Sequence, residues 1–241
     1  MTTRQAAAAK LRDVNPLVAK IFDTATVHDL SGEPVEVHSQ LSELHADALY
    51  ATVLAQRPQV VVEVGMAFGL SSLAILSALR DAGGTGRLIS IDPFQSTAWR
   101  GIGRANVERA GLAELHELME TPDYLGLPRL LEAGTRVDFG YIDGWHTFDY
   151  TLLDFWYLDR MVPKGGVVAF NDAGLRAVHR VMRFVRTHRR YRELNVGLRP
   201  SYRGRNPVAT LQRRLTGRQD ADRYFQKVEE WEPAWNFYAP F

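Results

Sequence analysis

Residues 137–146 read VDFGYIDGWH, and residues 163–172 read PKGGVVAFND. Each holds a short apolar run that stops at acidic or amide side chains. Asp143 closes the first run, with His146 three residues on, and Asn171-Asp172 closes the second. Apolar runs of this length, bounded by turn residues, have the character of strands buried on both faces. The segment between them, Phe148 to Arg160, has helical character, and strand–helix–strand is the repeating unit of a parallel sheet. Two strands that finish in oxygen donors, with a potential base beside one of them, predict a metal site at the edge of that sheet and an enzyme built around it.

The same alternation extends in both directions. Val60–Val64, Arg87–Ile91 and Leu115–Met119 read as strands before this stretch. Helices are expected near 71–79, 99–110 and 125–132. A basic helix, 175–188, follows it, with two further strands near Tyr191–Val196 and Tyr224–Glu230. The pattern predicts an α/β fold with a doubly wound, mostly parallel seven-stranded sheet. Residues 1–35 read as an N-terminal helical arm, with Leu11, Val14, Leu17, Val18 and Ile21 at helical spacing. Ser31-Gly32-Glu33-Pro34 breaks the arm, and Ser39 is the expected cap of a second helix running to about Gln56.

The chain has 241 residues, a net charge of +1 and no cysteine. That excludes disulfides, thiolate metal sites and cysteine nucleophiles, and it fits a reducing cytoplasm. No apolar run is long enough to span a bilayer, so no membrane partner is expected. The near-zero charge hides an asymmetry, because Arg176 to Arg223 holds fourteen arginines against three acidic residues. Such a segment is either a solvated face or a receiver for an anionic acceptor, with the arginines between Tyr202 and Arg218 the nearest candidates. The overall charge and the lack of any recognisable RNA-binding module argue against nucleic acid. Trp231, Trp235, Phe237, Tyr238 and Phe241 make the C-terminus unusually aromatic, as an apolar pocket or an oligomer contact would be. With the helical arm, they suggest a homodimer or tetramer.

The first strand runs into Glu63-Val64-Gly65-Met66-Ala67-Phe68-Gly69-Leu70-Ser71. Glycines at a strand-to-helix turn let the backbone approach a ligand, and the helix N-terminus that follows offers N–H groups to a carboxylate. The spacing is neither the dinucleotide GxGxxG nor a phosphate loop. Asp92, at the end of the second strand, stands where an acidic residue bonds ribose hydroxyls in doubly wound folds.

With these residues in view, the chain resembles the class I S-adenosylmethionine-dependent methyltransferases. More narrowly, it is similar to the metal-dependent O-methyltransferases of the catechol/caffeoyl-CoA and macrocin-like types. The residues that carry the resemblance are EVGMAFGLS (63–71), ISID (89–92), YIDGWH (141–146) and GGVVAFND (165–172), and the likeness spans about residues 40–190. It implies a Rossmann-like methyltransferase organised as one domain. N-terminal helices would occupy 1–57, a cofactor-binding core 58–198, and a basic loop with a C-terminal strand 199–241. It places Glu63 and Gly65 beside the cofactor's methionine part, with Gly69 in the same loop. Ser71 would hold the carboxylate, Asp92 the ribose, and Trp145 would lie next to the adenine. Asp143, Asn171 and Asp172 match the metal positions and His146 the general base. The Asn-Asp order departs from relatives that carry Asp-Asn or Glu-Asp, leaving two formal negative charges for the ion.

Carboxylate and amide oxygens suit Mg²⁺, or Mn²⁺ or Ca²⁺. Such an ion lowers the pKa of a bound hydroxyl, and an imidazole can take the proton. The expected reaction is methylation of a hydroxyl on a small molecule: a catechol, a polyphenol or a natural-product sugar. Two other readings stay open. One is a metal-independent methyltransferase acting on nitrogen, carbon or RNA. The other is a non-catalytic binding protein with the same fold.

Overall fold

The computed structural model describes residues 10–38, 41–198 and 222–241. The chain divides into two compact units. One comprises Met1–Pro58, Met66–Leu88 and Phe94–Glu117, the other Gln59–Gly65, Ile89–Pro93 and Leu118–Phe241.

In the first unit, Asn15-Pro16 splits the N-terminal apolar run into α1 (Leu11–Val14) and α2 (Pro16–Thr24). Proline is tolerated at the first helical position because its missing N–H would have no helical partner. The Asn15 side chain caps α2 by accepting from the Val18 N–H at 3.2 Å, and its Nδ2 donates to Ser77 Oγ at 3.0 Å in the interior. The arm is helical only to Thr24. Ala25 turns left-handed (φ 49°), and residues expected to be helical form an antiparallel hairpin, β1 (Thr26–His28) with β2 (Pro34–Glu36). Two causes are visible. Thr26 and Val27 are β-branched and favour extended backbone. Asp29 then folds the loop by accepting from the Ser31 N–H, the Ser31 hydroxyl and the Glu33 N–H.

Helix α3 (Glu43–Gln56) is capped by Ser42, which accepts from the His45 N–H. The expected cap, Ser39, lies outside the described residues. Helix α4 (Leu70–Asp81) packs on α3, and Tyr50 donates to Asp81 Oδ2 at 2.8 Å between them. Every residue of α4 from Leu70 to Leu79 is buried. Helix α5 (Ile102–Arg109) begins after Gly101, later than the sequence pattern suggests. Residues 95–101 form turns in its place.

Most of the sheet belongs to the second unit. Its strands are β3 (Val60–Val64), β4 (Arg87–Ile91), β5 (His116–Met119), β6 (Phe139–Ile142), β7 (Val167–Phe170), β8 (Tyr191–Glu193) and β9 (Arg223–Lys227). They lie in the order β5-β4-β3-β6-β7-β9-β8, a mostly parallel α/β sheet flanked by helices. Strands β3, β6 and β7 run parallel, whereas β9 is antiparallel to both β7 and β8. Between β3 and β6 the winding changes direction, which is the place where such sheets open a crevice for ligands.

Helices α6 (Asp123–Glu132), α7 (Phe148–Met161) and α8 (Arg176–His188) pack in sequence, with α7 against β6 and β7. Val62, Val64, Ile91, Ile142, Phe155, Leu158, Phe170 and Val181 are among the core residues, each at most 3% exposed. Each such side chain contributes about 1.5–3 kcal/mol by leaving water. A buried ionic knot ties the far strands to α7. Asp159 accepts from Arg189 Nε (2.7 Å) and the Tyr191 hydroxyl (2.8 Å) and lies 3.3 Å from Lys227 Nζ.

The expected arginine- and glycine-rich loop, Pro200 to Gly217, and the first nine residues lie outside the described residues. Among those described, no helix is long and apolar enough to cross a membrane.

Candidate functional site

Strand register aligns four residues across the second unit. Val64 pairs with Ile142, Ile142 with Phe170, and Phe170 with Arg223. One step further along, the chain presents Gly65, Asp143, Asn171 and Asp222 side by side at the ligand-facing edge. The backbone holds the row together, since Asp143 N donates to Val64 O and Asn171 N to Ile142 O, both at 2.9 Å. Gly65 sits at φ +85°, and a Cβ there would meet the backbone of Asp143. The two loops at the switch point therefore approach backbone to backbone, which only glycine permits.

His146 returns to this row. Its Nε2 lies 3.4 Å from Asp143 Oδ1, an ion-pair distance longer than a hydrogen bond, and has no hydrogen-bond partner among the described residues. His146 (φ 53°) and Asp172 (φ 49°) are both left-handed without being glycine. Such conformations cost free energy and persist where the surroundings enforce them, often at functional sites. Asp143, Asn171 and His146 are thus brought together, and Asp172 is close enough to act electrically on both Asp143 and His146.

The structure adds two groups that the sequence patterns did not single out. Asp222, 1% exposed, accepts from the Tyr141 hydroxyl at 2.8 Å and from Asn171 Nδ2 at 3.1 Å. Asn171 Nδ2 also lies 3.4 Å from the Tyr141 hydroxyl oxygen. Nothing local in the sequence marks Asp222, which is 51 residues from Asn171. Only the antiparallel pairing of β9 with β7 brings it there. The one available signal was an acidic residue two positions before the strand expected at Tyr224–Glu230.

The electrostatics follow from crowding carboxylates in a poorly hydrated place. Burial raises the Asp143 pKa and the Asp172 charge adds to it, while the nearby His146 opposes them. Burial acts to lower the His146 pKa. The nearby Asp143, with Asp172 and Asn171, outweighs it, and the ring's pKa is raised. Burial, with the charges of Asp143 and Asp172, pushes Asp222 up to about 8 against the bonds from Tyr141 and Asn171. Burial is also the first cause of the raised Tyr141 pKa.

The residues expected to contact a cofactor are distributed as follows. In the second unit, Glu63 is fully buried at the end of β3 and accepts from Ser90 Oγ at 2.7 Å. Asp92 is 3% exposed just past β4, its N–H bonded to Met119 O at 3.2 Å. Trp145, between Asp143 and His146, is 64% exposed. In the first unit, Gly69 (φ +83°) precedes α4 and Ser71 lies in its first turn, buried. Gly69 also lies against Gly103, whose carbonyl oxygen would be 3.1 Å from an added Cβ.

Part of the basic segment is neutralised internally. Arg186 and Arg223 both pair with Glu193, and Arg189 pairs with Asp159. The arginines expected to meet an anionic acceptor, between Tyr202 and Arg218, lie outside the described residues. Within the aromatic C-terminus, Phe237 and Phe241 pack edge-on against His188, whereas Trp235 is 97% exposed.

Residues 62–173 match the family model described as a methyltransferase domain. No curated protein matches the sequence. Among solved structures, the chain is similar to cofactor-bound Rv0187 from MTB, at 19% identity and a TM-score of 0.64, over 90% of this chain and 91% of that one. The O-methyltransferase TomG from Streptomyces achromogenes, involved in tomaymycin synthesis and in complex with SAM, is 16% identical with a TM-score of 0.61. That likeness covers 92% of this chain and 100% of TomG. The O-methyltransferase from Bacillus cereus in complex with SAH is also 16% identical, with a TM-score of 0.58, over 80% and 85% of the two chains. Residues 62–173 thus match a methyltransferase domain, and the fold of the chain is the fold of these solved methyltransferases.

Proposed function

We propose that the protein is an O-methyltransferase that moves the sulfonium methyl of S-adenosylmethionine to a hydroxyl of a small molecule, with His146 as the base. The observation that carries this reading is the approach of His146 Nε2 to Asp143 Oδ1, at 3.4 Å. It occurs at the edge where β3 and β6 diverge. Asp143 supports the positive charge that the ring acquires when it takes the acceptor's proton. Most of the remaining contribution is alignment of acceptor oxygen and methyl carbon. Two structural neighbours are O-methyltransferases, which agrees with this choice of acceptor atom.

On the cofactor side, Glu63, Gly65, Asp92 and Trp145 are assigned to the methyl donor. The N-terminal N–H groups of α4, with Gly69 and Ser71, suit a carboxylate.

A divalent ion, Mg²⁺ first, fits the chemistry of Asp143, Asn171 and Asp172. These are hard oxygen donors, and the mutual repulsion of the two carboxylates is what a cation would relieve. Bound there, the ion would supply Lewis acidity to the acceptor hydroxyl. Among the described residues no three His, Asp or Glu side chains form a metal cage by themselves. The protein would therefore supply two carboxylates and one amide oxygen, leaving the remaining positions to water and acceptor.

The Asp143–His146 contact also suits a second reading, in which the pair serves as the base without any metal. Methyl transfer to a panel of catechols and sugar hydroxyls, assayed before and after EDTA treatment and Mg²⁺ readdition, separates the two. Loss on chelation and recovery with Mg²⁺ is expected. Activity untouched by EDTA would leave the metal-free dyad. Absence of methyl transfer to any hydroxyl, with transfer to an amine or carbon acceptor, would overturn O-methylation.

A further inference from the structure

Both oxygens of Asp222 are engaged by neighbours of the proposed centre, Tyr141 through its hydroxyl and Asn171 through Nδ2. We infer that Asp222 is a positioning residue: by holding Asn171 Nδ2 it decides which end of that carboxamide faces His146, so that Asn171 presents an oxygen and not an amino group. The inference rests on the reading of Asp143, His146 and Asn171 as the reactive centre.

The argument is one of symmetry and donors. The two ends of a carboxamide are nearly the same size, and its terminal torsion is broad and two-fold, so packing alone does not choose between them. Hydrogen bonding does, because Nδ2 only donates and Oδ1 only accepts. On the sheet side of Asn171 stand two acceptors, Asp222 Oδ1 at 3.1 Å and the Tyr141 oxygen at 3.4 Å. The ring of His146 is a further neighbour, whose charged form the amide favours. Asn171 is 8% exposed and Asp222 1%, so bulk water does not compete. The ionised Asp222 carboxylate has only acceptors to offer, so it takes the Nδ2 end of the amide.

A reversed amide would present N–H groups to the imidazole nitrogen that is to receive the acceptor's proton, occupying its lone pair. The observed orientation instead stabilises the protonated ring. Asp222 also explains how an Asn can stand where a carboxylate is expected. With its amino end tied back, Asn171 offers the centre only oxygen, as a carboxylate would.

Two variants test the inference. Asp222→Asn keeps an acceptor oxygen for Asn171, and Asp222→Leu removes it. The first readout is the side-chain ¹⁵N–¹H amide signal of Asn171, identified by its disappearance in Asn171→Ala and recorded with S-adenosylhomocysteine bound. The second is methyl transfer to a catechol probe, with kcat separated from the KM for S-adenosylmethionine. In Asp222→Asn the signal should persist and kcat should stay within about threefold of wild type. In Asp222→Leu the signal should shift and lose protection, and kcat should fall about tenfold or more, as the loss of one buried hydrogen bond implies. KM for the donor should stay unchanged, and Asp222→Leu should have no further effect in an Asn171→Ala background.

An unchanged Asn171 signal in Asp222→Leu overturns the inference, as does equal loss in both variants, which would make Asp222 a charge or a general structural support. If Asp222→Leu does not fold, Asp222→Asn still decides, since loss of the Asn171 signal there contradicts an acceptor role. Full activity of His146→Ala would refute the proposed centre, while the amide signal would still report whether Asp222 orients Asn171.

Discussion

Gly65 and Asp143 meet backbone to backbone. A Cβ on Gly65 would lie 2.8 Å from the Asp143 carbonyl carbon and closer still to its oxygen, and Gly65 is held at φ +85°. Two costs therefore add in Gly65→Ala: left-handed strain and a clash between segments that cannot yield. Gly111 isolates the first cost, being left-handed at φ +68° with nothing within 4 Å of an added Cβ. Gly111→Ala should cost about 1 kcal/mol of stability, and Gly65→Ala about 1–3 kcal/mol more as an overpacked position. Urea unfolding of both variants measures the difference. Equal losses would mean that the switch-point loops separate without penalty.

His146→Ala should lower kcat about 100-fold, the usual scale of general acid–base catalysis. Affinity for S-adenosylhomocysteine, measured by calorimetry, should stay near wild type, because the imidazole is assigned to the acceptor. If binding and turnover fall together, His146 supports the cofactor instead. If neither changes, it is no base.

The architecture was legible because its cause is local. Val60–Val64, Phe139–Ile142 and Val167–Phe170 are, apart from Glu63, apolar on both faces, and a strand buried on both faces looks like that before any folding is considered. Strand ends at Asp143 and Asn171 were legible for the same reason. The hairpin at Thr26–Glu36 was not, because helical spacing from Leu11 to Ile21 gives no warning of the left-handed Ala25 that ends the helix. Asp222 was hidden for a different reason. Its place beside Asn171 exists only once β9 pairs antiparallel with β7, and that pairing is a long-range choice. Sequence patterns report which residues leave water; they do not report which distant strand end a carboxylate will face.

Asp154 on α7 is 1% exposed, and among the described residues neither of its carboxylate oxygens has a hydrogen-bond partner. Burial first, and then the nearby Asp123, hold its pKa well above the ordinary carboxylate value. The folded protein thus keeps a proton that the unfolded chain releases above about pH 3.9. The stability tied to that proton is complete below this pH and drains away as pH rises toward the folded pKa. An amide does not ionise, so Asp154→Asn should match wild type near pH 4 and exceed it in stability by a growing margin toward pH 8. Chemical denaturation at the two pH values provides the comparison. A margin that does not grow with pH would show that Asp154 ionises in the fold without penalty.

Asp159 sits at the opposite extreme, a buried carboxylate with every partner present. Arg189, 7% exposed at its side chain, donates through Nε at 2.7 Å, and Tyr191 donates through its hydroxyl at 2.8 Å. Lys227 places its ammonium 3.3 Å away while bonding the Asp159 and Val162 carbonyls. The knot joins α7 to β8, β9 and the end of α8, none of which is tied to α7 by strand pairing. Asp159→Ala leaves buried positive charge uncompensated and should cost about 3–5 kcal/mol. Asp159→Asn keeps two acceptor-sized ends but not the charge, so it should recover only part of that loss. Because the knot lies away from the row at Gly65, Asp143, Asn171 and Asp222, the surviving folded fraction of Asp159→Asn should bind S-adenosylhomocysteine with unchanged affinity. A loss of stability below 1 kcal/mol in Asp159→Ala, read from urea unfolding, would mean that Arg189 and Lys227 reach solvent or other acids once Asp159 is gone. Glu232, 3.9 Å from Arg189, and Glu230, 2.8 Å from Lys227, are the neighbours that could take over.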